Sequence, residues 1–313
     1  MAAKDKNNFS DSRTRSALIK ENVFLKEHTT FQVGGQARYF LEVASKQDLQ
    51  EAIGWAKQKG LPFFVLGGGS NLLVSDAGFF GLVLKLKIKN SIKIKNYKLK
   101  IIDKSSAIVQ ISAGISLFET GQWCFEHSLS GLEWSTGIPK ATIGGALFMN
   151  AGAFGTNMAD ITEQVEAFDV EKNKFRVFDF DACEFGYKES IFKRNKNLII
   201  VSAKLKFEKK QQAEIKKEMQ RVLSYRKERH PMQFPCAGSI FKNPRNIPAG
   251  EAIQKAGLSG KQIGQAKISE QHCNFIVNLG GASSVDVKAL IDLAKKQVKE
   301  KLGVELEEEI QYL

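Results

Sequence analysis

Cysteine is scarce and scattered. Four thiols stand in 313 residues, at Cys124, Cys183, Cys236 and Cys273, and no Cys-x-x-Cys spacing joins them. That argues against a zinc site and a disulfide framework, and it fits a reducing cytoplasm. Long apolar runs are missing as well. No stretch approaches the ~20 residues of a membrane helix, and residues 1–20 lack the apolar centre of a signal peptide. Those residues read as a flexible polar tail, and acidic Asp5 and Asp11 weaken an organellar transit reading. Two common nucleotide-binding signatures are absent: no Gly-x-x-x-x-Gly is closed by Lys-Ser/Thr, and no Gly-x-Gly-x-x-Gly occurs. Acidic residues are in deficit, 34 against 46 Lys and Arg, for a net charge of +12. Such a balance suits nucleic acid or anionic small molecules, and charge alone does not choose between them. The lysines are spread along the chain. Their mild cluster at 85–104 alternates with Ile and Leu, as an exposed hairpin with one buried face would.

Glycine, by contrast, is concentrated where it matters. Gly67-Gly68-Gly69-Ser70-Asn71 follows an apolar run, and so does Gly137-Ile138-Pro139-Lys140-Ala141-Thr142-Ile143-Gly144-Gly145, which continues to Asn150-Ala151-Gly152-Ala153. Glycine allows left-handed backbone and close approach to a ligand. Successive free amides in such turns make concave anion sites. Two of them suggest a pyrophosphate gripped from two sides, against the plainer reading of two ordinary tight turns.

The pattern along the chain predicts an α/β unit first: a strand at 38–43, a helix at 46–59 capped by Ser45, and strands at 62–66 and 82–86. A second unit has two short strands around Asn96, a strand at 108–112, and a helix from Ser116 to His127 with a Ser116/Glu119 capping box. It continues with a short helix capped by Thr142, a hairpin at 165–178 and a strand at 198–207. A charged helix at 209–229, stopped by Pro231, leads to a third unit. There we expect helices at 249–256 and 284–302, a strand at 274–278 and a final strand at 304–311.

Several ordered motifs carry a family resemblance. His28-Thr29-Thr30-Phe31-Gln32-Val33-Gly34-Gly35, the two glycine loops, Phe185-Gly186-Tyr187-Lys188-Glu189-Ser190, Ala237-Gly238-Ser239-Ile240-Phe241-Lys242-Asn243-Pro244 and Leu306-Glu307-Glu308-Glu309-Ile310 together resemble the UDP-N-acetylenolpyruvoylglucosamine reductases. The chain is similar to the shorter, type II form, since 187–226 has no room for an extra substrate-covering loop. The resemblance implies an α+β protein: a two-part FAD-binding domain of the vanillyl-alcohol-oxidase (PCMH) type, then a C-terminal α+β substrate-binding domain. The expected divisions are 1–20 tail, 21–86 and 87–208 for the FAD-binding subdomains, and 209–313 for the substrate domain. It also implies non-covalent FAD, NADPH as reductant, a nucleotide-sugar substrate, and a cytoplasmic monomer without nucleic acid or membrane partners.

The same resemblance assigns residues. Gly67, Gly68, Gly69, Ser70, Asn71, Gly137, Ile138, Pro139, Thr142, Ile143, Gly144, Gly145, Asn150, Ala151, Gly152 and Ala153 would hold FAD. Ser239 would be the proton donor, and Glu309 would help polarise the substrate. Lys188 stands where the family pattern has arginine, so a point charge replaces a bidentate fork. Tyr187, Arg226, Arg229, Gly238, Lys242, Asn243 and His272 fall at or beside substrate positions. Plainer roles stand next to these: a turn for Ser239, a solvated strand for Glu309, helix-end charges for Arg226 and Arg229, a surface histidine for His272. Cys236 reads as a passive filler. A related FAD oxidase and a basic nucleic-acid-binding protein are the rival functions. The Ser239 motif disfavours the first, and phenylalanines placed within strands disfavour the second.

Overall fold

The computed structural model describes residues 19–88, the backbone of 98–101, and residues 105–313. The expected strands around Asn96 lie largely outside the described residues. The chain opens with β1 (Lys20–Phe24) and β2 (Gln36–Val43). Ser45 then starts α1 (Lys46–Gln58) by accepting the Asp48 amide, and Leu49, Ala52, Ile53 and Ala56 face inward at helical spacing. Next come β3 (Phe63–Leu66), β4 (Leu72–Leu73) and β5 (Phe79–Leu86). The first sheet has the order β1-β2-β5-β3, with β2, β5 and β3 parallel. Its first glycine loop leaves the carboxyl end of β3, the end where ligands bind in open α/β sheets.

The second layer contains β6 (Lys98–Ile101), β7 (Ser106–Ser112), α2 (Leu117–Glu126) and β8 (Leu129–Ser130). The Ser116 hydroxyl accepts the Glu119 amide, but among the described residues the reciprocal half of the expected capping box is not formed. Thr142 caps α3 (Ile143–Phe148), followed by the small hairpin β9 (Gly152–Ala153) and β10 (Thr156–Asn157). A larger hairpin, β11 (Thr162–Asp169) and β12 (Lys174–Asp179), precedes α4 (Ile191–Arg194) and β13 (Leu198–Lys209). These strands make an antiparallel sheet, β12-β11-β13-β7-β6, with β8 pairing the end of β13. Leu49, Ile53 and Leu84 of the first layer share one core with Ile111, Phe168 and Leu205 of the second. The two layers therefore pack as a single unit.

The third part begins with α5 (Gln212–Arg229). It contains α6 (Ala249–Lys255), the sheet of β14 (Gln262–Ile263), β15 (Ala266–Ile268) and β16 (Ile276–Asn278), and α7 (Ser284–Leu302). Helix α7 starts in a Ser283/Asp286 capping box and stops at left-handed Gly303. Its Val287, Leu290, Ile291, Ala294 and Val298 are buried in a second core. Phe31, Val33 and Leu73 from the first layer are part of that core, which fastens the third part to it.

Two expected strands are shorter than the pattern implied. The strand at 274–278 starts only at Ile276, because Asn274 bonds elsewhere. Its side chain accepts from the Phe241 amide and donates to the Phe241 carbonyl, at 2.9 Å each. The expected strand at 304–311 is mostly irregular, with one bridge between Phe241 and Glu308. Both the Glu309 and Ile310 amides donate to the Ile240 carbonyl, which breaks a regular ladder. Regular pairing is confined to β17 (Gln311–Tyr312), which lies parallel to β4.

That closing strand bonds through Gln311 N–H to Asn71 O (3.1 Å), Leu313 N–H to Leu73 O (3.0 Å) and Ser75 N–H to Leu313 O (2.6 Å). Each such bond contributes about 1 kcal/mol net. A chain ending at Ile310 should lose roughly 3 kcal/mol of stability, read as a lower urea midpoint at unchanged slope. An unaltered midpoint would show that the last three residues do not hold the fold.

Candidate active site

The first glycine loop and the second meet directly. A Cβ at Gly68 would stand 1.4 Å from the Lys140 carbonyl oxygen, and one at Gly67 would stand 2.7 Å from the Thr142 hydroxyl. Gly69 and Gly137 have φ of +66° and +83°, a left-handed backbone that glycine adopts freely. Among the described residues the amides of Gly68, Gly69, Ser70 and Asn71 donate to no protein acceptor, and neither do those of Lys140, Ala141 and Thr142. Ile143 and Gly144 differ: their amides bond the Ile115 and Ala113 carbonyls. Two runs of unpaired amides face each other across a glycine contact. This is the donor set that a pyrophosphate needs, and the residues present fit FAD.

The loops line a cleft of about 840 Å³. Its wall includes Gly67 to Asn71, Gly137 to Thr142, Gly144, Gly145, and Ala151 to Ala153. Small residues at Ala151, Gly152 and Ala153 leave room for a flat ring. Two expected cofactor residues lie outside this wall. The Ile143 side chain is fully buried in the core. The Asn150 side chain donates to the Gly186 carbonyl (2.8 Å) and accepts from the Ala159 amide (2.9 Å), so it shapes the loops instead.

Opposite the loops stand Lys188, Gly238, Ser239 and Glu309. Lys188 Nζ and Glu309 Oε1 are 2.9 Å apart, with both side chains largely buried. Lys188 sits at φ +57°, the third residue of a tight turn in which Gly186 and Glu189 exchange backbone bonds. Glu309 is fixed twice, by its amide on Ile240 and by its carbonyl, which accepts from the Asn71 side chain at 3.1 Å. Ser239 is half-buried, and among the described residues its hydroxyl has no hydrogen-bond partner. The three acids 307–309 alternate as a strand would. Glu307 and Glu309 reach Lys242 and Lys188, while Glu308 turns to Lys295 and the Tyr312 hydroxyl.

Other expected substrate residues have partners of their own. Lys242 is buried and bonds Glu307 (2.6 Å) and Glu189 (3.2 Å), away from the cleft wall. Burial opposes its charge, but those two carboxylates outweigh burial and raise its pKa. Exposed Tyr187 accepts the Asn243 amide at 3.2 Å. The Asn243 side chain accepts from Ala249, at the start of α6. Arg229 is exposed beside Glu228 and over the Tyr225 ring. His272 lies behind His230, with ring centroids 5.4 Å apart, and accepts the Asn274 amide. Arg226 does reach the cleft wall. It is buried, and burial lowers its pKa to about 10.

Sequence reasoning missed Trp134 and His230, which also line the cleft. Only the His230-Pro231 pair at the end of α5 could have drawn attention to the histidine. Burial, then His272 and Arg226, push its pKa down to about 4. Cys236 is in the wall too, and burial raises its thiol pKa against a bond from the Gly238 amide.

Fold and cleft together define an FAD-binding oxidoreductase, and the FAD binding domain family model matches residues 37–174. Residues 230–313 match the model described as UDP-N-acetylenolpyruvoylglucosamine reductase, C-terminal domain. The UDP-N-acetylenolpyruvoylglucosamine reductase of Caldanaerobacter subterraneus is 41% identical over 91% of this chain and 90% of its own length. That of Anoxybacillus flavithermus is 38% identical over 94% and 93%. The crystal structure of the Thermus caldophilus reductase superposes with a TM-score of 0.78 at 35% identity, covering 94% of this chain and 99% of that one. The chain belongs to the UDP-N-acetylenolpyruvoylglucosamine reductase family.

Two outcomes test this geometry. Gly68→Ala forces its methyl into the Lys140 carbonyl, so FAD should bind at least about tenfold more weakly, the lower end of what overpacking costs; equal flavin content would refute the cradle. His230 protonates near 4 when folded, against an ordinary 6.5. The unfolded state therefore binds more protons between those values, so stability is full above 6.5 and falls as pH drops through that window. His230→Gln should flatten the fall in Tm of the FAD-free protein, and curves of equal slope would contradict it.

Proposed function

We propose that the chain reduces UDP-N-acetylglucosamine enolpyruvate to UDP-N-acetylmuramate with NADPH, a step in peptidoglycan precursor synthesis. One observation carries this reading: Ser239, Lys188 and Glu309 line the same cleft as two loops of unpaired amides. Bound FAD supplies the hydride relay between NADPH and the substrate alkene. The chain supplies orientation, charge and a proton.

Reduction of the enolpyruvyl group places negative charge on its carboxylate side. Lys188 offers a cation there, and Glu309 holds that cation in place at 2.9 Å. Lysine's point charge keeps the electrostatic stabilisation and gives up the bidentate grip that arginine would provide. The Ser239 hydroxyl, without a protein partner among the described residues, is available to give the proton. A serine is a weak acid, so it must be held close to the substrate and the charge beside it matters. Residues 21–86 and 87–208 form the cofactor-binding part on this reading, and 209–313 the substrate-binding part. The free thiols suit a reducing cytoplasm, where such precursors are made.

Anaerobic half-reactions separate the roles. Ser239→Ala should lower the rate of substrate reduction by about 10²–10⁴-fold, with reduction of the bound flavin by NADPH unchanged. Lys188→Ala should also slow substrate reduction, and Lys188→Arg should retain it. A Ser239→Ala enzyme with wild-type turnover would reject the assignment.

A further inference from the structure

Three buried side-chain polar atoms lack any hydrogen-bond partner among the described residues: Arg226 Nε, Trp134 Nε1 and Thr136 Oγ1. All three belong to one place. Arg226 donates from Nη2 to the Trp134 carbonyl at 2.8 Å, and Thr136 is two residues further on, immediately before Gly137. Arg226, Trp134 and Thr136 are 6%, 3% and 5% exposed. A buried donor without an acceptor is costly, and a buried cation without a counter-charge more so. Arg38 and Arg245 are exposed to water, and Arg176, Arg194, Arg221 and Arg229 each pair with a carboxylate. Arg226 has none among the described residues. The site therefore waits for an acceptor-rich or anionic ligand.

Which ligand follows from what the arginine touches. Its side-chain hydrogen bond, packing and ring contacts reach the cofactor half: the Trp134 carbonyl, Gly137 (where a Cβ would stand 3.3 Å from Arg226 Cδ) and the Phe154 ring, 5.8 Å from the guanidinium, while its charge also acts on His230. Gly137 opens the second glycine loop, and Phe154 follows Ala151, Gly152 and Ala153 in the cleft wall. We infer that Arg226, with Trp134, is a cofactor-positioning pair that donates to FAD, rather than part of the substrate set. The inference rests on the proposed FAD-dependent reaction. A fixed cation beside the cofactor favours its reduced, more electron-rich form, so Arg226 sets the ease of reduction as well as the grip.

The experiment compares wild type, Arg226→Met and Arg226→Lys for FAD dissociation constant, flavin midpoint potential and KM for the nucleotide sugar. Circular dichroism of the FAD-free proteins shows whether each variant folds. Loss of one charge-assisted bond predicts FAD binding weaker by about tenfold to a hundredfold in Arg226→Met, with a more negative midpoint potential. Arg226→Lys, which keeps the charge, should keep the potential close to wild type and carries the test if the methionine variant does not fold. Unchanged FAD affinity and potential with a raised KM would overturn the inference and return Arg226 to the substrate. A wild-type protein that takes up no FAD would overturn this inference and the proposed reaction together, whereas uptake with an unaffected variant overturns this inference alone.

Discussion

The active cleft exists because the end of the chain is woven between two other segments. Ile240 accepts from Glu309 on one side, and the Asn71 side chain donates to the Glu309 carbonyl on the other. Glu307 bonds the Lys242 amide, and β17 then runs along β4. Remove these bonds and three things separate: the first glycine loop, the Ser239 turn and the acid that holds Lys188. Among the described residues no single sheet spans the cleft, so hydrogen bonds between irregular segments do what a ladder would do elsewhere. That is also why the expected terminal strand is so short.

Across the cleft a tight turn supplies the opposite wall. Its residues Tyr187, Lys188 and Glu189 each bond a different residue of the third part: Asn243, Glu309 and Lys242. Lys193 binds the same Glu189 carboxylate, so its charge is shared between two ammonium groups. Burial raises the Glu189 pKa, but the two lysines more than offset this and leave it below the usual carboxylate range. The ion pairs lock a strained left-handed lysine against the segment that carries Glu309. Neighbours thus divide the space: Lys242 and Glu189 brace behind the wall, while Lys188 faces the cleft.

Much of this was legible in the sequence, for physical reasons. Ser45, Ser116 and Thr142 sit before apolar helical stripes, and each caps the helix that follows. The two glycine loops stood out because dense small residues after strands have few structural uses. The Ser239 and Glu309 motifs were readable only through resemblance, since a lone serine or one acid among three says little. Long-range pairing stayed hidden. Nothing local announces that Asn274 bonds both backbone groups of Phe241, or that Lys242 is braced by acids from two distant segments. His230 and Trp134 reach the cleft through tertiary packing that periodicity does not encode.

One feature of the weave governs how the molecule comes together. Asn71 and Glu309 are 238 residues apart along the chain, and Phe31 and Asn278 are 247 apart. Closing such spans costs chain entropy before any contact rewards it, so they form late. The hairpin of β11 and β12 and the helices are local and can form early. Colour, in a refolding flavoprotein of this build, arrives after shape: a nearly native sheet scaffold comes first, and the cofactor's seat closes as the last event.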